Sequence, residues 1–116
     1  MKQRWAVTWR DKYRIAAAYP PVAPTGLAGT PGVMQISLSW LPAFDATGYN
    51  VWRSTTRGSG YVLNGAASTT AYTDNSARIG IKYFYVVSAT NTWGESANSQ
   101  EIEAIMPPPG TVIKIR

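Results

Sequence analysis

Cysteine and histidine are absent from this chain of 116 residues. Without them there is no zinc finger, no iron–sulfur or haem ligand set, and no triad built on a histidine base or a thiolate nucleophile. Acidic residues are scarce too: six carboxylates stand against eleven Lys and Arg, for a formal net charge of +5. No apolar run approaches the roughly 20 residues of a membrane-spanning helix, and no helical period competes anywhere. What the sequence does have is 45% apolar residues, with aromatics at 12% of the chain, enough to build a core. Ten Gly and eight Pro punctuate it. At this length a single all-β domain is expected.

The charge divides unevenly. In residues 1–23, Lys2, Arg4, Arg10, Lys12 and Arg14 oppose only Asp11, a net of +4. The stretch 24–106 carries four cations against Asp45, Asp74, Glu95, Glu101 and Glu103, a net of −1, and 107–116 adds +2 through Lys114 and Arg116. Basicity thus belongs to the two ends, which argues against a nucleic-acid groove in the body. Proline runs mark the same divisions: Pro20-Pro21-Val22-Ala23-Pro24 on one side and Pro107-Pro108-Pro109-Gly110 on the other. Such runs cannot donate ladder hydrogen bonds and stiffen the backbone. Three parts are expected: a basic N-terminal arm over 1–23, a domain over 24–106, and a proline-rich linker with a short C-terminal strand over 107–116.

Within the domain the period is two. Ile36, Leu38 and Trp40 alternate with Ser37 and Ser39; Tyr49 and Val51 alternate with Asn50 and lead to Trp52 and Arg53. After a glycine turn, Tyr61-Val62-Leu63 reads as a short strand, and Thr69 to Thr73 as another that ends at Asp74-Asn75. The longest strand sets Tyr83, Tyr85, Val87 and Ala89 on one face and Phe84, Val86 and Ser88 on the other. A segment from Ser96 to Ile105 closes the set, and a first strand near Leu27 brings the number to seven. Even spacing and regular turns predict a β-sandwich. The arms read as strands as well: Trp5, Val7 and Trp9 alternate, Tyr13 and Ile15 follow a turn at Asp11-Lys12 to make a hairpin, and Val112, Ile113 and Ile115 sit at the other end.

Several of these pieces together resemble a fibronectin type III domain of the bacterial and phage type. They are Pro24-Thr25-Gly26-Leu27, Ile36-Ser37-Leu38-Ser39-Trp40, Gly48-Tyr49-Asn50-Val51-Trp52-Arg53-Ser54, Ala71-Tyr72-Thr73-Asp74, and Gly80 through Ala89 followed by the Asn91–Ser96 turn. The likeness covers about 83 residues, in order and spacing. It implies an immunoglobulin-like sandwich of seven strands, to which the arms are additions. Trp40, Tyr49, Val51, Tyr83, Tyr85 and Val87 are the expected core, with Trp40 filling the space between the sheets. Tyr83 falls at the tyrosine corner, where the phenol bonds to nearby backbone. Ala77 departs from the larger apolar residue usual there. The family also implies no fixed function, since such sandwiches serve adhesion, spacing, binding and assembly alike.

Candidate sites are few. Glu101 and Glu103 lie two apart on one strand face, and a solvated edge is a better reading of them than an acid/base pair. Asp45 and Asp74 sit beside turns, where their side chains are expected to cap backbone amides rather than hold a metal. Arg57-Gly58-Ser59 resembles the integrin tripeptide of some family members, but a hydroxyl replaces the needed carboxylate and the loop is a different one. No catalytic, cofactor or metal site is therefore expected. Exposed aromatics carry more. Trp52 should point away from the core, either toward a ligand or under an arginine stem, and Trp93 stands at a loop tip; both are candidates for stacking on a sugar. Trp5, Val7, Trp9, Tyr13, Ile15, Val112, Ile113 and Ile115 are the candidate interface.

Two functions from different classes fit. The first is a self-assembling structural subunit of a phage particle or extracellular filament, whose arms pair with sister subunits or a neighbouring structural protein by strand addition. The second is an accessory spacer or weak carbohydrate-binding module of a secreted bacterial polysaccharide-acting enzyme, with a cell-surface glycan as a further partner. The basic, aromatic N-terminal arm also suits single-stranded nucleic acid, although edge protection explains the same charges. No secretory leader is read in the chain, since Ile15-Ala16-Ala17-Ala18-Tyr19 is too short for one. The expected setting is extracellular or virion, the chain being either a piece of a larger secreted protein or a small protein that leaves the cell by another route.

Overall fold

A computed structural model of the chain describes residues 19–108. These fold into two antiparallel sheets made of eight strands: β1 (Ala28–Gly32), β2 (Gln35–Ser39), β3 (Gly48–Ser54), β4 (Val62–Ala67), β5 (Ala71–Asp74), β6 (Lys82–Asn91), β7 (Gly94–Glu95) and β8 (Ile102–Ile105). One sheet has the order β1-β2-β5; in the other, β4-β3-β6 is completed by β7 and β8, which both pair with β6. The fold is thus the all-β, immunoglobulin-like sandwich expected, with β7 and β8 as two pieces of one final strand. Among the described residues there is no helix, and so none long and apolar enough to cross a membrane.

Period-two patterning places the core. Ile36 and Leu38 from β2 face Tyr49 and Val51 from β3 and Tyr83, Tyr85, Val87 and Ala89 from β6, all buried in one cluster with Trp40, Ala77, Ala104 and Met106. Trp40 follows β2 directly and meets the Tyr49 ring edge to face, with centroids 5.4 Å apart. Burying side chains of this size contributes roughly 1.5–3 kcal/mol each. Tyr83 accepts the Arg78 amide at 3.0 Å and so ties the β5–β6 crossing as a tyrosine corner does. Ala77 lies within this core despite its small side chain.

The local differences from expectation have physical reasons. The strand after the glycine turn is Val62–Ala67 rather than Tyr61–Leu63, because pairing with β3 continues past Leu63 through a bulge at Val51/Trp52. The first strand begins at Ala28, after Leu27, and the strand over Thr69–Thr73 is Ala71–Asp74. The expected last strand, Ser96 to Ile105, is broken. Between its two pieces, Ser96 and Ser99 each donate an amide to β6 (to Ala89 O and Val87 O, both 2.8 Å), while their hydroxyls accept the Ala89 and Val87 amides at 2.8 and 3.0 Å. Hydroxyls thus stand in for the missing carbonyls of the ladder. Finally, both faces of β6 are covered: Phe84, Val86 and Ser88 on the outer face are as buried as the core residues.

The interface candidates Trp5, Val7, Trp9, Tyr13, Ile15, Val112, Ile113 and Ile115 lie outside the described residues, as does the hairpin expected in 1–23.

Candidate functional site

Trp52 lies on the outer face of β3, opposite Val86. Its indole Nε1 donates to Ser88 Oγ at 3.0 Å; Ser88 in turn donates to Glu95, whose Oε2 also accepts Asn50 Nδ2 at 3.1 Å. The ring is therefore half-buried and its indole N–H is held by a chain of polar contacts on the outer face. Among the described residues, the two arginines of this region stack on other rings: Arg53 over Tyr83 at 4.5 Å and Arg57 over Phe84 at 5.0 Å.

Trp93 is placed differently. It stands in the turn between β6 and β7 and is 57% exposed. Its amide donates to Asn91 Oδ1 at 2.7 Å, and Asn91 Nδ2 donates to the carbonyls of Tyr19 and Asp45 at 2.9 and 3.2 Å. The backbone under the ring is thereby fixed. Five residues of β6, roughly 16 Å, separate Val86 from Asn91, so Trp52 and Trp93 do not share a site.

The carboxylates have been given tasks. Asp74 is only 1% exposed and receives Arg53 Nη1 at 2.9 Å, the Tyr85 hydroxyl at 2.5 Å, and both the amide and the hydroxyl of Ser76 at 3.0 and 2.9 Å. Burial alone would push this carboxyl up; the four hydrogen bonds outweigh it, and it is held at about 2. Burial and the same carboxylate push the Tyr85 phenol far above its ordinary value. Asp74 does cap a turn amide, as expected, but its main part is to neutralise an inward-facing arginine. Asp45 differs from expectation: among the described residues its carboxylate accepts no hydrogen bond, and its backbone, left-handed at φ 65°, offers the carbonyl to Asn91 instead.

Glu101 precedes β8 rather than lying on it. It accepts the Gly58 amide at 2.7 Å and the Tyr61 hydroxyl, and that bond lowers its pKa. Burial and then the same bond push the Tyr61 phenol up to about 12. Glu103 receives Arg57 at 3.0 Å and Lys82 at 3.7 Å. The pair on the supposed solvated edge therefore clasps the β3–β4 loop, and Arg57-Gly58-Ser59 is held inside that clasp. A shallow depression of about 340 Å³ beside this loop is lined by Arg53, Ser54, Val62, Leu63 and Tyr83 among others; its one cation is already neutralised by Asp74. Among the described residues no three carboxylates gather as a metal site would require.

No family model matches the chain. A stretch of 78 residues is 35% identical to part of an amylopullulanase from Thermoanaerobacterium thermosulfurigenes, spanning 66% of this chain and 4% of that protein. A stretch of 84 residues is 39% identical to part of a poly(3-hydroxybutyrate) depolymerase from Ralstonia pickettii, spanning 71% of this chain and 16% of the relative. Among solved structures, an Fn3-like protein from Clostridium thermocellum is similar with a TM-score of 0.70 and 37% identity, over 76% of this chain and 95% of that one. The chain thus spans a small part of the enzymes it matches and nearly all of the Clostridium protein.

Proposed function

The chain belongs to the fibronectin type III family, and on that premise we propose that it is a non-catalytic accessory module, a spacer that serves an extracellular polysaccharide-acting enzyme. The observation that carries this reading is the confinement of the enzyme matches to one unit of this size, 4% of the amylopullulanase and 16% of the depolymerase. A unit that recurs as a small part of proteins acting on different polymers is more fitting as a holder or spacer than as the reacting centre. Geometry supports it. The chain comes in beside the β6–β7 turn, where Asn91 holds Tyr19, and leaves near the start of β6, where the Gly80 amide meets Met106 O at 2.9 Å. The ends of the sandwich are separated by the length of β6, ten residues or roughly 30 Å, so it would set two neighbours apart by that distance.

The first expectation, a subunit of a phage particle, gains no support from these relatives, and the arms on which it rested lie outside the described residues. An antibody against residues 24–106, applied to fractionated cultures of the native host, separates the readings. An accessory module is expected in an extracellular polypeptide much longer than this chain, or in complex with one. A short species that cofractionates with particles would overturn the proposal.

A further inference from the structure

The pole that carries Trp93 holds two further exposed aromatics on separate segments. Phe44, in the loop between β2 and β3, is 69% exposed, and Tyr19 is 50% exposed. One side chain gathers all three segments: Asn91 accepts the Trp93 amide and donates to the carbonyls of Tyr19 and of Asp45, the neighbour of Phe44. Its amide is fully engaged in holding backbone, so it is a positioning residue. Pro20 packs against Gly94, where an added Cβ would meet its ring at 3.4 Å, and this keeps the Tyr19 segment on the turn. Thr47 binds the Thr90 carbonyl through its amide at 2.8 Å and so fixes the β2–β3 loop to the same end of β6. Three rings thus project from a fixed base, and none of them belongs to the core.

Charge narrows what such a base can take. The four described cations, Arg53, Arg57, Arg78 and Lys82, belong to the other half of the sandwich, where Asp74, Glu103 and the Tyr83 hydroxyl engage them or their backbone. The aromatic pole offers Asp45 and Thr92 instead. A sugar ring presents apolar C–H faces to such aromatics and hydroxyls to a carboxylate and a threonine, and the salt and alginate arms of the test below separate this from attraction to the basic residues that precede Tyr19 in the sequence.

We infer that this pole, with Trp93, Phe44 and Tyr19 as its stacking faces, is a binding site for an uncharged polysaccharide chain. The inference rests on the accessory-module reading above and gives that module a ligand class.

The test is affinity electrophoresis of the full chain through native gels that contain pullulan or soluble amylopectin, with alginate and poly(3-hydroxybutyrate) granules as comparison ligands. Retardation by the neutral glucans is expected, insensitive to added salt. It should weaken by roughly tenfold in Trp93→Ala and in Phe44→Ala and persist in Trp52→Ala. All three side chains lie outside the core, and circular dichroism with thermal melting checks that each variant is folded. The assignment is overturned by lack of retardation, by retardation that both pole variants leave unchanged, by loss of binding on adding salt, or by binding to the polyester or alginate in place of glucan. Failure here alongside a long extracellular polypeptide in the antibody experiment removes the site and leaves the spacer standing; glucan binding by a short, particle-bound species does the reverse.

Discussion

At the scale of single residues, Arg53 and Asp74 show what parity along a strand can and cannot tell. Arg53 is two residues beyond Val51 and four beyond Tyr49, so alternation sends it inward with them, and the observed β3–β6 register agrees. Its partner was not legible, because Asp74 is distant in sequence and reads as an ordinary turn residue. An inward charge at the margin of a core must find an opposite charge, and that rule was the available signal. The pair has a measurable consequence. The Asp74 carboxyl titrates at about 2 in the folded chain against an ordinary 3.8, so the folded state binds the proton less well. Its contribution, on the order of 2 kcal/mol, is complete above about pH 4 and is lost as pH falls through 2. Urea unfolding at pH 7 and at pH 2.5 should show this loss in the native chain. Asp74→Asn should cost at least about 2 kcal/mol at pH 7, the linkage contribution, with the loss of Arg53's buried counter-charge adding to it, and should flatten the acid side of the profile. An unchanged acid slope in that variant would assign the effect to other carboxylates.

Elements were legible where β-branched and aromatic residues alternate, as in β2, β3 and β6, and less so where small polar residues carry the pairing. Ser96 to Glu101 has almost no β-formers, and it reads as strand only because strand is needed there; in the structure its serines pair by hydroxyl. Ser99 is buried and answers the Val87 amide with its side chain. Ser99→Ala should therefore leave that amide without a partner and destabilise the domain by roughly 1–3 kcal/mol, measured by denaturant midpoint. Gly65 marks a second joint. Tyr72 of β5 lies across β4 at this glycine and its hydroxyl donates to Asn64 O at 3.0 Å, linking the two sheets at their edge. A Cβ at Gly65 would collide with that ring. Gly65→Ala should cost about 1–3 kcal/mol, and Gly65→Ala combined with Tyr72→Ala should cost less than the two changes summed. Strict additivity in that cycle would show that the ring and the glycine do not meet.

For the whole molecule, the sandwich was legible because turn glycines and period-two strands agree with one another, and consistency across levels specifies a fold. The aromatic pole was legible only in part. Trp93 stood out at a loop tip, but the convergence of the Tyr19 and Asp45 carbonyls on Asn91, which brings Phe44 to the same end, depends on three segments far apart in sequence, and no local pattern encodes that. Trp52, equally prominent in the sequence, is occupied by Ser88 on the outer face. As proposed, the chain works beside a polymer-acting enzyme and not by assembling with copies of itself. Sedimentation velocity of the full 116-residue chain, from micromolar to millimolar concentration at physiological salt, tests this most directly. A single monomeric species across the range is the predicted result. Growth of dimers or longer assemblies with concentration would contradict it and make self-association through the terminal arms the better account.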